Sequence, residues 1–197
     1  MLTERVKQQF NDSIQTTITA ADTLVEPVSQ AGAVLSDVIL ANQKVLVCGN
    51  GRSFADAQRF CAALMYRYRA SRPSFPTILL GANDVMTSAI LAEGDYQDVF
   101  SRPLKALGQA GDVLLLVTTS AQEKCILDVV EAAKQRDMRL IMLTGGDDST
   151  VLAPLLEEQD IQICVPSQDM FRVQEVHVLL LHCLCDLIDT QLFQTEA

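Results

Sequence analysis

Two short segments of this 197-residue chain hold the residues whose types and spacing suit chemistry. The first is Cys48-Gly49-Asn50-Gly51-Arg52-Ser53. Its glycines let the backbone turn tightly and expose N–H groups to an anion. Asn50 and Ser53 add side-chain donors, and Ser53 is also placed to cap a following helix. The second segment is Thr118-Thr119-Ser120-Ala121-Gln122, with three hydroxyls in a row before another helical stretch. Each signal alone is weak, because Ser or Thr ahead of a helix ordinarily does no more than cap it. Together they are more specific. Each follows an apolar strand pattern, and loops after neighbouring parallel strands open onto one crevice. The first loop does not match the six-residue dinucleotide fingerprint or the Lys-bearing P-loop, which disfavours a nucleotide cofactor.

The elements that must position these loops are legible as short apolar runs alternating with amphipathic stretches. Strands are expected at 44–48, 77–80, 112–118, 139–143 and 160–164, mostly apolar throughout, as in strands buried on both faces. Helices are expected at 53–69, 85–107 with a break at Gly94, 122–136 and 169–187. Alternation of this kind calls for right-handed parallel crossovers and a three-layer α/β domain. Ahead of it, Val6, Phe10, Ile14 and Ile18 form a stripe at four-residue spacing. Pro27 then interrupts, and Leu35, Val38 and Ile39 mark a second helix ending near Asn42. The expectation is one domain over 1–197, with two long helices in 1–42 serving oligomerisation and an α/β core in 43–197.

Composition narrows the function. Fifteen Lys and Arg against 25 Asp and Glu give a net charge of −10, which argues against direct binding to nucleic acid or an anionic membrane surface. The longest apolar runs, such as Val113–Val117, are too short to span a bilayer. The N-terminus does not resemble a signal peptide. The six cysteines, at 48, 61, 125, 164, 183 and 185, lack C-x-x-C spacing and suit buried reduced thiols, pointing to the cytoplasm. Cys183 and Cys185 would lie about 200° apart around a helix, so they do not share a metal.

The first segment, with Ala55-Asp56-Ala57-Gln58, Phe100-Ser101-Arg102, the hydroxyl run and Arg172-Val173-Gln174-Glu175-Val176-His177 with His182, resembles the SIS (sugar isomerase) domain family. Within it the chain is similar to the phosphoheptose isomerase branch over nearly its whole length. The tail Cys183-Leu184-Cys185-Asp186-Leu187-Ile188-Asp189 with Leu192-Phe193 is most like the initiator-associating members of that branch. The resemblance implies a five-stranded parallel sheet in flavodoxin-like order and a homotetramer with sites between subunits. It also implies sugar-phosphate contacts at Asn50, Gly51, Ser53, Thr118, Thr119, Ser120 and Gln122. In the isomerases, a His and a Glu on the helix after the first loop act with a Gln and a His on the last helix. Together they bind zinc and move a proton between sugar carbons.

This chain departs from that pattern. Gln174 and His182 match the last-helix pair, but Arg59 stands in place of the first His and Ala63 in place of the Glu. Isomerisation needs a group that takes a proton from carbon and returns it to the neighbouring carbon. Ala63 does neither, and Arg59 stays protonated. Ala121 replaces a Gly, Glu123 a Ser and Phe171 an Asp. Glu175 is a poor replacement base, since it points about 100° away from Gln174. His182 is expected to face the core, and Arg52 with Arg59 to make the crevice electropositive. No catalytic residue, metal or cofactor is therefore assigned.

Leu192 and Phe193, set in a polar tail, either pack back on the domain or anchor a partner, and the resemblance favours the partner. The expected function is a non-catalytic homotetrameric adaptor for the replication initiator DnaA, reaching DNA only through it. The alternatives are isomerisation of sedoheptulose 7-phosphate to heptose 7-phosphate, or a sugar-phosphate-binding regulator.

Overall fold

The computed structural model describes residues 1–146 and 148–193. Five parallel strands, β1 (Val45–Gly49), β2 (Thr77–Leu79), β3 (Val113–Val117), β4 (Arg139–Gly145) and β5 (Ile161–Val165), pair in the order β2-β1-β3-β4-β5. The central pairing is in full register, from Val45 opposite Val113 to Gly49 opposite Val117. Strand side chains alternate between two cores. Val45, Val47, Val113, Leu115, Ile141 and Leu143 point into one, beneath α1 (Leu2–Leu40), α2 (Ser53–Met65) and α7 (Met170–Phe193). Leu46, Cys48, Leu114, Leu116, Leu140 and Met142 point into the other, beneath α4 (Asp98–Leu107) and α5 (Lys124–Lys134). Burial on both faces explains why these strands read as unbroken apolar runs and not as alternating ones. The expected three-layer α/β architecture and flavodoxin-like strand order are both present.

Several boundaries differ from expectation. The N-terminal segment is one 39-residue helix, not two, and Pro27 lies inside it. Proline deletes one N–H and crowds the preceding turn. Here Leu24, Val28, Ala31 and Leu35 on either side of it are buried in the first core, and α1 packs along α7. Tertiary packing holds the helix through the break that local propensity calls for. Gly94 does separate α3 (Asp84–Glu93) from α4, at φ 84°. No apolar periodicity marks α6 (Asp148–Leu152) or the 3₁₀ turn at Ala153–Leu155 that follows it.

The last helix is more apolar than the short runs in the sequence suggest. At 24 residues and a mean hydropathy of 1.4 over its most apolar window, α7 is long and apolar enough to span a bilayer by those measures. It is instead a core helix: Val173, Val176, His177, Leu181, Leu184 and Ile188 are buried against the sheet and α1. Its apolar composition follows from being covered on two sides.

Candidate functional site

Strand order reverses between β1 and β3, and the two candidate loops leave the carboxyl ends of those two strands. This is the switch point at which open α/β sheets hold ligands. The loop after β1 needs its glycines. A Cβ on Gly49 would lie 2.6 Å from the Ser53 carbonyl oxygen, and Gly51 sits at φ +54°. The two loops are tied directly. Asn50 Nδ2 donates to the Ser120 carbonyl at 3.3 Å, and the Ser120 N–H donates to Thr118 Oγ1 at 2.9 Å. The single Thr118 hydroxyl proton has two acceptors in reach, Asn50 Oδ1 at 2.7 Å and the Ser120 carbonyl at 2.9 Å.

Asn50, Ser53 and Thr118 are therefore buried groups of a cross-braced turn. Thr119 and Ser120 are half-buried, while Gly51 and Gln122 are exposed. The capping roles foreseen for the hydroxyls do not occur. Arg52 holds the cap position of α2, Glu123 that of α5, and neither helix has a side-chain cap.

A second cluster lies where α2 meets α7. Asp56, 1% exposed, accepts from Arg59 Nη2 at 3.0 Å and from Gln174 Nε2 at 2.9 Å. Arg59, Ala63 and His182 line one small cavity of about 60 Å³ with Asp56, Phe60, Tyr68 and Cys185. Beside it, a more open cavity of about 430 Å³ is lined by Gln9, Asp56, Arg59, Phe171, Arg172, Gln174 and Glu175. The four positions singled out by sequence do converge, but with altered chemistry. Gln174 and Arg59 are spent on Asp56, and the Arg59 charge is thereby offset, not displayed freely in the crevice. Arg52 instead stacks 5.0 Å over Phe171, and Glu175 is paired with Arg172 at 2.8 Å.

The donor set does not fit zinc. A guanidinium at Arg59 repels a cation, the Ala63 methyl donates nothing, and the Gln174 amide already donates to Asp56. Among the described residues no three His, Cys, Asp or Glu side chains cluster as a metal site.

The two histidines of α7 sit differently within the single chain. His182 is exposed, its ring 5.7 Å from that of Tyr68, and not core-facing. His177 is the buried one, with Nε2 3.0 Å from the Thr144 carbonyl oxygen and Nδ1 without a partner. Burial pulls its pKa down to about 4, against the raising effect of the Thr144 contact. Asp56 was missed as the hub of the cluster. It stands in the Ala55–Gln58 stretch that carries the family resemblance, but nothing in the residue pattern marks it as the hub.

The SIS domain family model matches residues 9–145. The chain belongs to the SIS domain family. Curated relatives carry two names at the same similarity. The DnaA initiator-associating protein DiaA of Edwardsiella ictaluri is 44% identical over 194 residues, covering 98% of both chains. A phosphoheptose isomerase of Shewanella denitrificans is also 44% identical, over 98% of this chain and 99% of its own. Among solved structures, a phosphoheptose isomerase from Francisella tularensis superposes with a TM-score of 0.92 at 35% identity, covering 96% of this SIS chain and 99% of its own. The phosphoheptose isomerase of Neisseria gonorrhoeae gives 0.89 at 37%, covering 96% and 100%. Fold and family of this SIS-domain protein are thus fixed, while the names of its relatives divide between adaptor and enzyme.

Proposed function

We propose that this SIS-domain protein is a non-catalytic, homotetrameric adaptor that binds the replication initiator DnaA and promotes initiation of chromosomal replication. The observation that carries the reading is the Asp56–Arg59–Gln174 cluster. Where the isomerase pattern needs a group to accept and return a proton, this chain has a permanently charged guanidinium and a methyl group. The relatives named DiaA support the partner. The exposed stripe of Val6, Phe10, Ile14 and Ile18 on α1, each more than half exposed, supports self-association. Four copies would present four Leu192–Phe193 ends, giving avidity from individually weak contacts.

The excess of acidic residues suits a basic, DNA-binding partner, and an adaptor for it would work beside it in the cytoplasm. The test is initiator binding together with an isomerase assay on sedoheptulose 7-phosphate with added zinc. Saturable binding without turnover is expected; zinc-dependent turnover overturns the reading.

A second reading, a sugar-phosphate-binding regulator, is favoured by the braced loops at the switch point. It keeps Asn50, Gly51, Ser53, Thr118, Thr119, Ser120 and Gln122 as phosphate and sugar contacts without a reaction. Thermal stabilisation by a sugar phosphate, lost on Ser53→Ala, supports it; no shift at millimolar ligand removes it.

A further inference from the structure

The most interlocked side chain outside the two loops is Arg72, in the segment between α2 and β2. It is 2% exposed. Its Nε donates to Asp189 Oδ1 at 2.6 Å, Nη2 to the Ala63 carbonyl at 2.8 Å, and Nη1 to the carbonyls of Leu64 at 2.8 Å and Pro73 at 3.0 Å. Two of these acceptors are carbonyls at the end of α2, which lack helical partners of their own. The guanidinium also lies 3.9 Å over the ring of Phe75, and Phe75 stacks on Phe193 at 6.1 Å with the planes 10° apart.

Both attachments fall on one face of α7, since Asp189 and Phe193 are four residues apart. Arg72 thus grips the last two turns of α7 twice, once through its own ion pair and once through Phe75. A closing helical turn near a chain end ordinarily frays. This one is held. Leu192 is half-buried and packs against the main core, whereas Phe193 keeps 42% of its surface open despite the stack.

We propose that Arg72 and Phe75 are positioning residues for partner binding, holding Phe193 as a rigid aromatic anchor for an apolar pocket on the initiator while Leu192 seats the helix. This rests on the adaptor reading. An aromatic side chain held in place before encounter loses less freedom on binding, so the clamp acts on affinity through preorganisation and not through contact.

The chain has no tryptophan, so Phe193→Trp introduces a single indole at the anchor, excited apart from the three tyrosines. Combining it with Phe75→Leu, which keeps apolar volume but removes the stack, is expected to raise acrylamide quenching of the indole. In the full chain with Phe193 intact, Phe75→Leu and Arg72→Lys are expected to weaken initiator binding about tenfold, mainly through faster dissociation. Far-UV circular dichroism and oligomeric state should stay unchanged for Phe75→Leu, which separates positioning from folding. Unaltered affinity in Phe75→Leu, while Phe193→Ala loses binding, overturns the clamp and leaves the adaptor reading standing. No initiator binding by the unmodified protein overturns both. Weaker binding that merely tracks loss of folded protein overturns the positioning role.

Discussion

The burial of His177 should make the stability of this protein sensitive to acid. The imidazole is fully buried beneath α7 with one ring nitrogen against the Thr144 carbonyl and the other unpartnered. Burial lowers its pKa from 6.5 to about 4. The unfolded chain therefore binds a proton between those values that the folded chain refuses. Its full contribution to stability is present above pH 6.5 and is lost as the pH falls through 6.5 towards 4. A shift of this size corresponds to about 3–4 kcal/mol at most, at roughly 1.4 kcal/mol per pH unit. Most of that, about 2–3 kcal/mol, is expressed by pH 4.5.

The assay is urea unfolding at pH 7.5 and 4.5 and fixed protomer concentration, comparing the natural protein with His177→Gln, whose amide still reaches towards Thr144. Carboxylates titrate in both proteins and cancel in the comparison. The natural protein should lose about 2–3 kcal/mol more than the variant between the two pH values. Equal losses would show that His177 is not held neutral by burial, and the argument fails.

Other substitutions test separate parts of the account. Asp189→Asn breaks the buried pair with Arg72 and should cost about 3–5 kcal/mol, seen as a clear fall in melting temperature; an unchanged midpoint contradicts the clamp's energetic role. Gly49→Ala forces a methyl to within 2.6 Å of the Ser53 carbonyl and should destabilise by about 1–3 kcal/mol in chemical denaturation. Burial raises the thiol pKa of Cys61 and Cys185 to about 12 and that of Cys48 and Cys125 upward as well. Native labelling followed by mass spectrometry should therefore modify Cys164 before these four, and rapid labelling of Cys48 would contradict the packing.

Much of this arrangement is legible in the residues. The strands β1, β3 and β4, covered on both faces, leave continuous apolar runs, and all five strands were located within two residues, although β5 at the sheet edge alternates in burial. The convergence of Asn50 with Thr118 and Ser120 was readable because both loops follow neighbouring strands. What escaped was decided by contacts distant in sequence. Pro27 looked like a helix end because the packing of Val28 and Ala31 against the first core has no local signature. Likewise, His182 and His177 could be separated by helical angle, but which of them faced the sheet depended on how α7 rotates against β4. Arg72 carried no motif at all. Its partners lie at residues 63, 64, 73 and 189, and the distance to Asp189 is 117 residues along the chain. Leu192 and Phe193 were placed in a polar tail, whereas they form the last turn of α7.

The division between adaptor and enzyme turns on one measurement: calorimetric titration of the purified protein with its own organism's DnaA at low and at physiological salt. Steering of a basic partner by a chain of net charge −10 should make binding salt-sensitive, while the apolar Phe193 anchors should keep it saturable at both concentrations. Saturable binding of micromolar strength or tighter, weakening as salt rises, is the predicted result. Absence of heat and of complex at both salts contradicts the adaptor account.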